Sequence, residues 1–213
     1  MMILFEDRKA AASALKELLP LAQMQRESWI LIAVSEGGVA LCQELNGRMK
    51  LKIDWLMGES IMAPHNPECE LGRVSEMEEI VINDDLVKAF GVQYDYVYGE
   101  ARRKHEEKIL SKIYHYRKGR PLTSLRGKNV LLVDQGSESG LKLICAIKTV
   151  LSRSPDALFA CAPVLPKEVY ASIEPLCDAL FCPHVLEDYI ETSCYYSQLE
   201  DVSDEMIIKI LGD

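Results

Sequence analysis

The chain holds no apolar run approaching the ~20 residues a helix needs to cross a bilayer. It has no C-x-x-C pair, no internal repeat and no low-complexity tract. Basic residues are short as well: 24 Lys and Arg face 33 Asp and Glu, a net charge of −9. Each lack excludes something. The first speaks against a helical membrane protein. The second leaves Cys42, Cys69, Cys145, Cys161, Cys177, Cys182 and Cys194 as reduced, mostly buried small hydrophobes. The four histidines (His65, His105, His115, His184) are scattered, so no metal site is read. The acidic balance speaks against a general nucleic-acid or anionic-membrane binder, because neutralising phosphates takes a basic face. Glu6, Asp7, Arg8 and Lys9, so early in the chain, speak against a signal or transit peptide. The expected location is the cytoplasm.

What is present is 213 residues, 48% of them hydrophobic, enough for a single domain over 1–213 with a well-buried core. Strand-like runs alternate with helical ones. Residues 7–25 carry Ala11, Ala14, Leu15, Leu18 and Leu19 at helical spacing. Trp29 to Val34 is a strand, followed by Gly37-Gly38 and helix through Glu44; Lys52 to Met57 is a second strand. Residues 58–79, with Pro64 and Pro67 bracketing Asn66, read as irregular. Ile80 to Ile82 is a short strand, and Asn83-Asp84 signals the start of a helix.

A long helix follows from Tyr94 to Arg117; residues 100–120 carry eight Lys and Arg against three Glu. That run reads either as a solvated face or as a subunit contact for the acidic tail, Leu186 to Glu205, which has seven acids and no Lys or Arg. Between them lie strand 129–134, a helix from about Ser139 to Leu151, strand Leu158 to Val164, a helix near Pro166 and strand Asp178 to Cys182. Helix returns after Ser203. Strands spaced by helices predict a mainly parallel α/β sheet whose ligands sit beyond the strands' carboxyl ends. The loops after Val34, Met57, Asp134 and Val164 therefore share one rim.

Two of those loops carry chemistry. Val130-Leu131-Leu132-Val133 ends in Asp134, then Gln135-Gly136-Ser137-Glu138-Ser139-Gly140 and a helix. Such a strand delivers a carboxylate and a set of backbone N–H groups to a helix start, a place suited to a sugar phosphate. Ser35-Glu36-Gly37-Gly38 follows the first strand; its glycine pair allows either a tight turn or close approach of backbone to a ligand.

Together with the rest of the chain these loops resemble the type I phosphoribosyltransferase superfamily, and within it a bacterial group labelled predicted phosphoribosyltransferases. Ser35-Glu36-Gly37-Gly38 stands where that group has "PRGG". Ala63-Pro64-His65-Asn66-Pro67-Glu68 and Leu71-Gly72-Arg73-Val74 resemble its "GAPxNPExAxGAV". Asn83-Asp84-Asp85-Leu86-Val87 with Gly91-Val92 resembles "NDDxVxxxGV". Tyr116-Arg117, Gly119-Arg120-Pro121, Leu125, Gly127-Lys128 and Val130 to Gly140 resemble "YRxGRPxxxLxGKxVxLVDDGxATG". Tyr195-Tyr196-Ser197-Gln198 and Val202-Ser203-Asp204-Glu205 resemble "WYxDFxQVSDEE". The resemblance implies a Rossmann-like parallel sheet flanked by helices, with a small hood. It implies chemistry on 5-phosphoribosyl-1-diphosphate, usually with Mg²⁺. Paired acids would hold the ribose hydroxyls, the turn after them the 5-phosphate, and the first loop the diphosphate.

Carried onto this chain, the acid pair is Asp134 and Gln135, the phosphate turn Gly136, Ser137, Glu138, Ser139, Gly140 and Lys142, and the diphosphate loop Ser35, Glu36, Gly37 and Gly38. Three positions depart from the pattern. Gln135 replaces the second aspartate, Glu36 an arginine, and Glu138 a small residue; Lys142 stands where threonine is frequent. Like charges ~4 Å apart repel by about 1 kcal/mol in water and about 4 kcal/mol at a surface-like dielectric. Two misplaced acids would thus weaken a phosphate on the order of 10²-fold. Alternatively, both point outward. The expected function is binding of a phosphoribosyl or nucleotide phosphate at 134–142 with catalysis curtailed. The alternative is an active Mg²⁺-dependent transferase with an unidentified acceptor. A homodimer is compatible with this fold type.

Overall fold

The structure is a computed structural model and describes residues 3–47 and 49–212; the expected domain limits 1–213 include Met1, Met2, Arg48 and Asp213, which lie outside them. Five parallel strands form the central sheet: β1 (Ile30–Ala33), β2 (Lys52–Trp55), β6 (Asn129–Val133), β7 (Ala157–Cys161) and β9 (Ala179–Phe181), in the order β2-β1-β6-β7-β9. The inner strands are buried on both faces, which is why they read as continuous apolar runs. Their side chains alternate. Leu31, Ala33, Leu131 and Val133 join one core, and Ile30, Ile32, Val130 and Leu132 the other.

Helices cover both faces. On one side lie α1 (Arg8–Leu18), α3 (Glu36–Asn46) and the closing α9 (Asp204–Gly212), whose apolar residues enter the first core. On the other lie α7 (Leu141–Leu151) and α8 (Lys167–Ile173). Residues 7–25 are two helices, not one: Pro20 precedes the short α2 (Leu21–Arg26), and Leu19 is already extended. Caps fall where side-chain oxygens reach first-turn amides: Asp7 on Ala10 N, Ser35 on Gly38 N and Asn83 on Leu86 N, opening α4 (Asp84–Ala89).

The stretch read as irregular is a second sheet. β3 (Gly58–Ala63), β4 (Asn66–Ser75) and β5 (Ile80–Ile82) pair antiparallel in that order. Register shifts between Ile61 and Ala63 blur the period-two pattern, and Pro67 stands beyond the reach of β5, where no ladder bond is lost. That is why the prolines were misleading. Beyond this hood runs the basic helix, α5 (Tyr94–Lys104) and α6 (Leu110–Arg117), joined by one π-helical stretch at His105–Ile109. Its charges are partly engaged inside the chain. Lys112 pairs with Glu59 at 2.7 Å, and His115 and Tyr116 both contact the Asp204 carboxylate, at 3.0 and 2.8 Å. The last pair of strands, β8 (Val164–Pro166) and β10 (His184–Leu186), is a separate parallel ladder. Among the described residues no helix is long and apolar enough to cross a membrane.

Candidate functional site

The strand order reverses between β1 and β6: the chain runs outward to β2 on one side and to β7 and β9 on the other. Ligands of open α/β sheets bind at such a switch point, past the carboxyl ends of the strands. The two loops singled out in the sequence meet there. Ser35 Oγ donates to Asp134 Oδ1 at 2.7 Å, and Gln135 N donates to the same oxygen at 2.9 Å.

Asp134 is fully buried. Its other oxygen, Oδ2, has no hydrogen-bond partner in good geometry among the described residues, yet lies 2.9 Å from Lys142 Nζ. The ammonium also reaches Gly136 O at 3.4 Å. Lys142 sits one residue into α7, and the lysine stem leaves its charged end at the loop, 20% exposed. Gly140, at φ +74, turns the chain into this helix and leaves the first turn without a side-chain cap on the helix itself. Ser137 Oγ is buried and accepts from Gly140 N at 3.1 Å. The turn is thus tied by its own side chains, with Gln135 N on Asp134, Gly140 N on Ser137 Oγ and Leu141 N on Ser139 Oγ, where it enters α7.

The three departing residues differ in where they go. Glu36 is exposed in the first turn of α3, on the side of Tyr116, whose hydroxyl titration is pushed up by burial, by Asp204 and by Glu36. Glu138 is engaged by the tail. Its Oε1 accepts from Thr192 N at 2.9 Å and from Thr192 Oγ1 at 2.7 Å. Burial pushes this carboxyl up, but the two Thr192 bonds and the nearby Lys142 outweigh it and hold it below the usual carboxylate range. Gln135 lies across the first loop: a Cβ on Gly37 would fall 1.8 Å from its Oε1, which already accepts from Arg8 Nε at 3.1 Å.

Gly37 and Gly38 are therefore helical residues, not a free loop. Gly38 has a separate reason: a Cβ there would meet Val133 O at 2.7 Å, so only glycine lets α3 approach the end of β6. Ser139 Oγ donates to Glu70 Oε2 at 2.9 Å, and Glu70 in turn pairs with Arg73 at 3.1 Å, so the hood touches the turn directly.

Several contributors were not found from the sequence. Tyr196 hydroxyl donates to Gln135 O at 3.0 Å, and Thr192 packs where a Cβ on Gly136 would be, at 2.6 Å. Tyr189 hydroxyl bonds Thr192 Oγ1 at 2.7 Å, completing a clasp from the tail over the turn. The pair Tyr195-Tyr196 inside a quoted motif was the available signal. Between Lys142 and Arg73, lined also by Met57 and Cys145, lies a small cavity of about 10 Å³, about the room of one water.

No family model matches the chain. A protein known from two strains of Mycobacterium tuberculosis, named "putative phosphoribosyl transferase" in each, is 24% identical over 211 residues. That match covers 99% of this chain and 47% of the relative, so the chain spans about half the length of the curated relatives it matches. The crystal structure of TT1426 from Thermus thermophilus is 27% identical with a TM-score of 0.75, covering 99% of this chain and 98% of that one. In sequence and fold the chain is similar to type I phosphoribosyltransferases. A hypothetical protein from Neisseria gonorrhoeae with bound ppGpp shares the fold at 13% identity, with a TM-score of 0.51 over 99% of this chain and 96% of that one. In this chain Asp134 stays buried at the end of β6, the turn after it leads into α7, and the Gln135 side chain lies over the first loop.

Proposed function

We propose that the turn Asp134 to Lys142 binds the phosphate of a phosphorylated ribose or nucleotide, and that transfer chemistry on phosphoribosyl diphosphate is curtailed. The observation that carries this reading is the placement of Gln135. Its side chain covers Gly37 and holds Arg8, so the first loop offers a covered surface and an exposed Glu36 where a diphosphate would need open backbone and a cation. The phosphate side fares better. Glu138 Oε1 is occupied by two donors of Thr192, which partly neutralise that carboxylate, and Lys142 supplies an ammonium at the helix start. The ppGpp held by the Neisseria protein of the same fold supports a nucleotide as the first probe.

The double change Glu36→Arg plus Gln135→Asp tests the reading. It restores a cation and a second acid and uncovers Gly37. The expected result is a gain of at least about tenfold in affinity for phosphoribosyl diphosphate with Mg²⁺, each tenfold being about 1.4 kcal/mol. An unchanged titration contradicts it. The second reading, an active Mg²⁺-dependent transferase, rests on the buried Asp134 at the switch point. It predicts diphosphate release by the unmodified protein with a nitrogenous acceptor.

A further inference from the structure

A divalent cation needs hard oxygen ligands left available, and Mg²⁺ in phosphate sites commonly uses one or two carboxylates beside the substrate's own oxygens. Most of the acidic oxygens around this turn are committed. Asp134 Oδ1 accepts from Ser35 Oγ and Gln135 N, Asp134 Oδ2 faces Lys142 Nζ at 2.9 Å, and Glu138 Oε1 takes both donors of Thr192. Glu70 Oε2 accepts from Ser139, and its Oε1 faces Arg73. The remaining position of the acid pair is the neutral Gln135. Among the described residues no group of three or more His, Cys, Asp or Glu is disposed to hold a metal. A divalent ion at Asp134 would also meet the Lys142 ammonium as a like charge. The donor set does not fit Mg²⁺.

Resting on the phosphate-site reading above, we propose that Lys142 is a tethered cation that stands where a metal would be needed, so that the site takes a phosphorylated ribose without any divalent ion. Three features support it. Lys142 is anchored to a fully buried carboxylate that lacks another partner for Oδ2. An ammonium carries three N–H donors, and the described residues occupy it with one ion pair and one long contact to Gly136 O. The neighbouring cations sit elsewhere: Arg73 bonds Ser60, Glu70 and Gly58 O in the hood, and Arg8 lies on the first loop with its Nε on Gln135. Lys142 thus links the ribose-side aspartate to the phosphate turn, the two places a bound ribose 5-phosphate would span.

The test is calorimetric titration of the full chain with ribose 5-phosphate, in excess EDTA and again in excess Mg²⁺. The expected result is equal affinity within about twofold in the two buffers, and a loss of at least about tenfold in Lys142→Met. Because that variant leaves Asp134 buried and unpaired, Asp134→Asn plus Lys142→Met, which removes both charges, is measured beside it and is expected to lose binding as well. Binding by the unmodified protein that appears or tightens at least about tenfold only with Mg²⁺ overturns the tethered-cation proposal and leaves the phosphate site standing. Unaltered binding in both variants also overturns it. No binding of ribose 5-phosphate by the unmodified protein in either buffer overturns the phosphate-site reading itself.

Discussion

Gln135 Oε1 lies so close over Gly37 that a methyl group on that glycine would stand 1.8 Å from it. The two residues belong to the two loops that meet at the reversal of strand order, and their contact decides how open the first loop is. The neighbouring glycine faces backbone instead, with Val133 O 2.7 Å from its would-be Cβ.

Gly37→Ala and Gly38→Ala should therefore part company. At Gly37 the obstacle is the far end of a flexible side chain, which can swing away at the expense of its Arg8 bond. The gain in helix propensity, roughly 0.5–1 kcal/mol, offsets much of that loss. At Gly38 the obstacle is the β6 backbone, and overpacking should cost about 1–3 kcal/mol. Chemical denaturation of the two variants should find Gly37→Ala within about 1 kcal/mol of the parent and Gly38→Ala clearly below both.

The tail clasp should show in Glu138→Ala. Removing the acceptor of Thr192 N and Oγ1 is expected to lower stability by about 0.5–1.5 kcal/mol, the modest figure reflecting a surface carboxylate. Amide exchange should rise in residues 189–196 before it rises in β6. Uniform exchange across both segments would count against a local clasp.

Acid should loosen the same contact. The Glu138 carboxyl in the folded chain titrates below its ordinary value of 4.5, so the unfolded chain holds the proton more tightly. Its stabilising contribution is complete above that ordinary value and drains as the pH falls through the folded one. The Tm gap between the parent and Glu138→Gln should accordingly hold steady well above pH 4.5 and narrow as the pH falls below it. A gap that widens on acidification reverses the sign and refutes the assignment.

Arg117 supplies a fourth prediction. Its guanidinium is 3% exposed, bonded to Glu76 and 3.7 Å from Asp54 Oδ1. Burial pushes the Glu76 carboxyl up, and Arg117 opposes that. Arg117→Met strands two buried acids and should cost roughly 3–5 kcal/mol in urea denaturation, the usual figure for breaking a buried pair from one side. A change under about 1 kcal/mol would mean the pair is solvated.

That last residue also shows what the sequence could and could not tell. The central sheet was legible because β1 and β6 are buried on both faces and therefore read as unbroken apolar runs. The meeting of Ser35 with Asp134 followed from the parallel topology alone. The hood was misread because register shifts at Ile61 to Ala63 and Pro67 obscured its alternation. The direction of a surface carboxylate has no periodic signature, so the hold of Glu138 on Thr192 could not be read from the sequence. Arg117, quoted as part of a motif, proved to be a buried structural ion, and nothing in Tyr116-Arg117 distinguishes that from a ligand contact. The tail reached the site through contacts 54 and 61 residues away in sequence, beyond any local pattern.

The most direct test of the central claim is titration of the unmodified protein with a nucleoside monophosphate and with phosphoribosyl diphosphate, each followed by an assay for released diphosphate. The account predicts measurable heat with the monophosphate, little or none with the diphosphate, and no diphosphate release. Turnover of phosphoribosyl diphosphate that saturates with an added acceptor would contradict it.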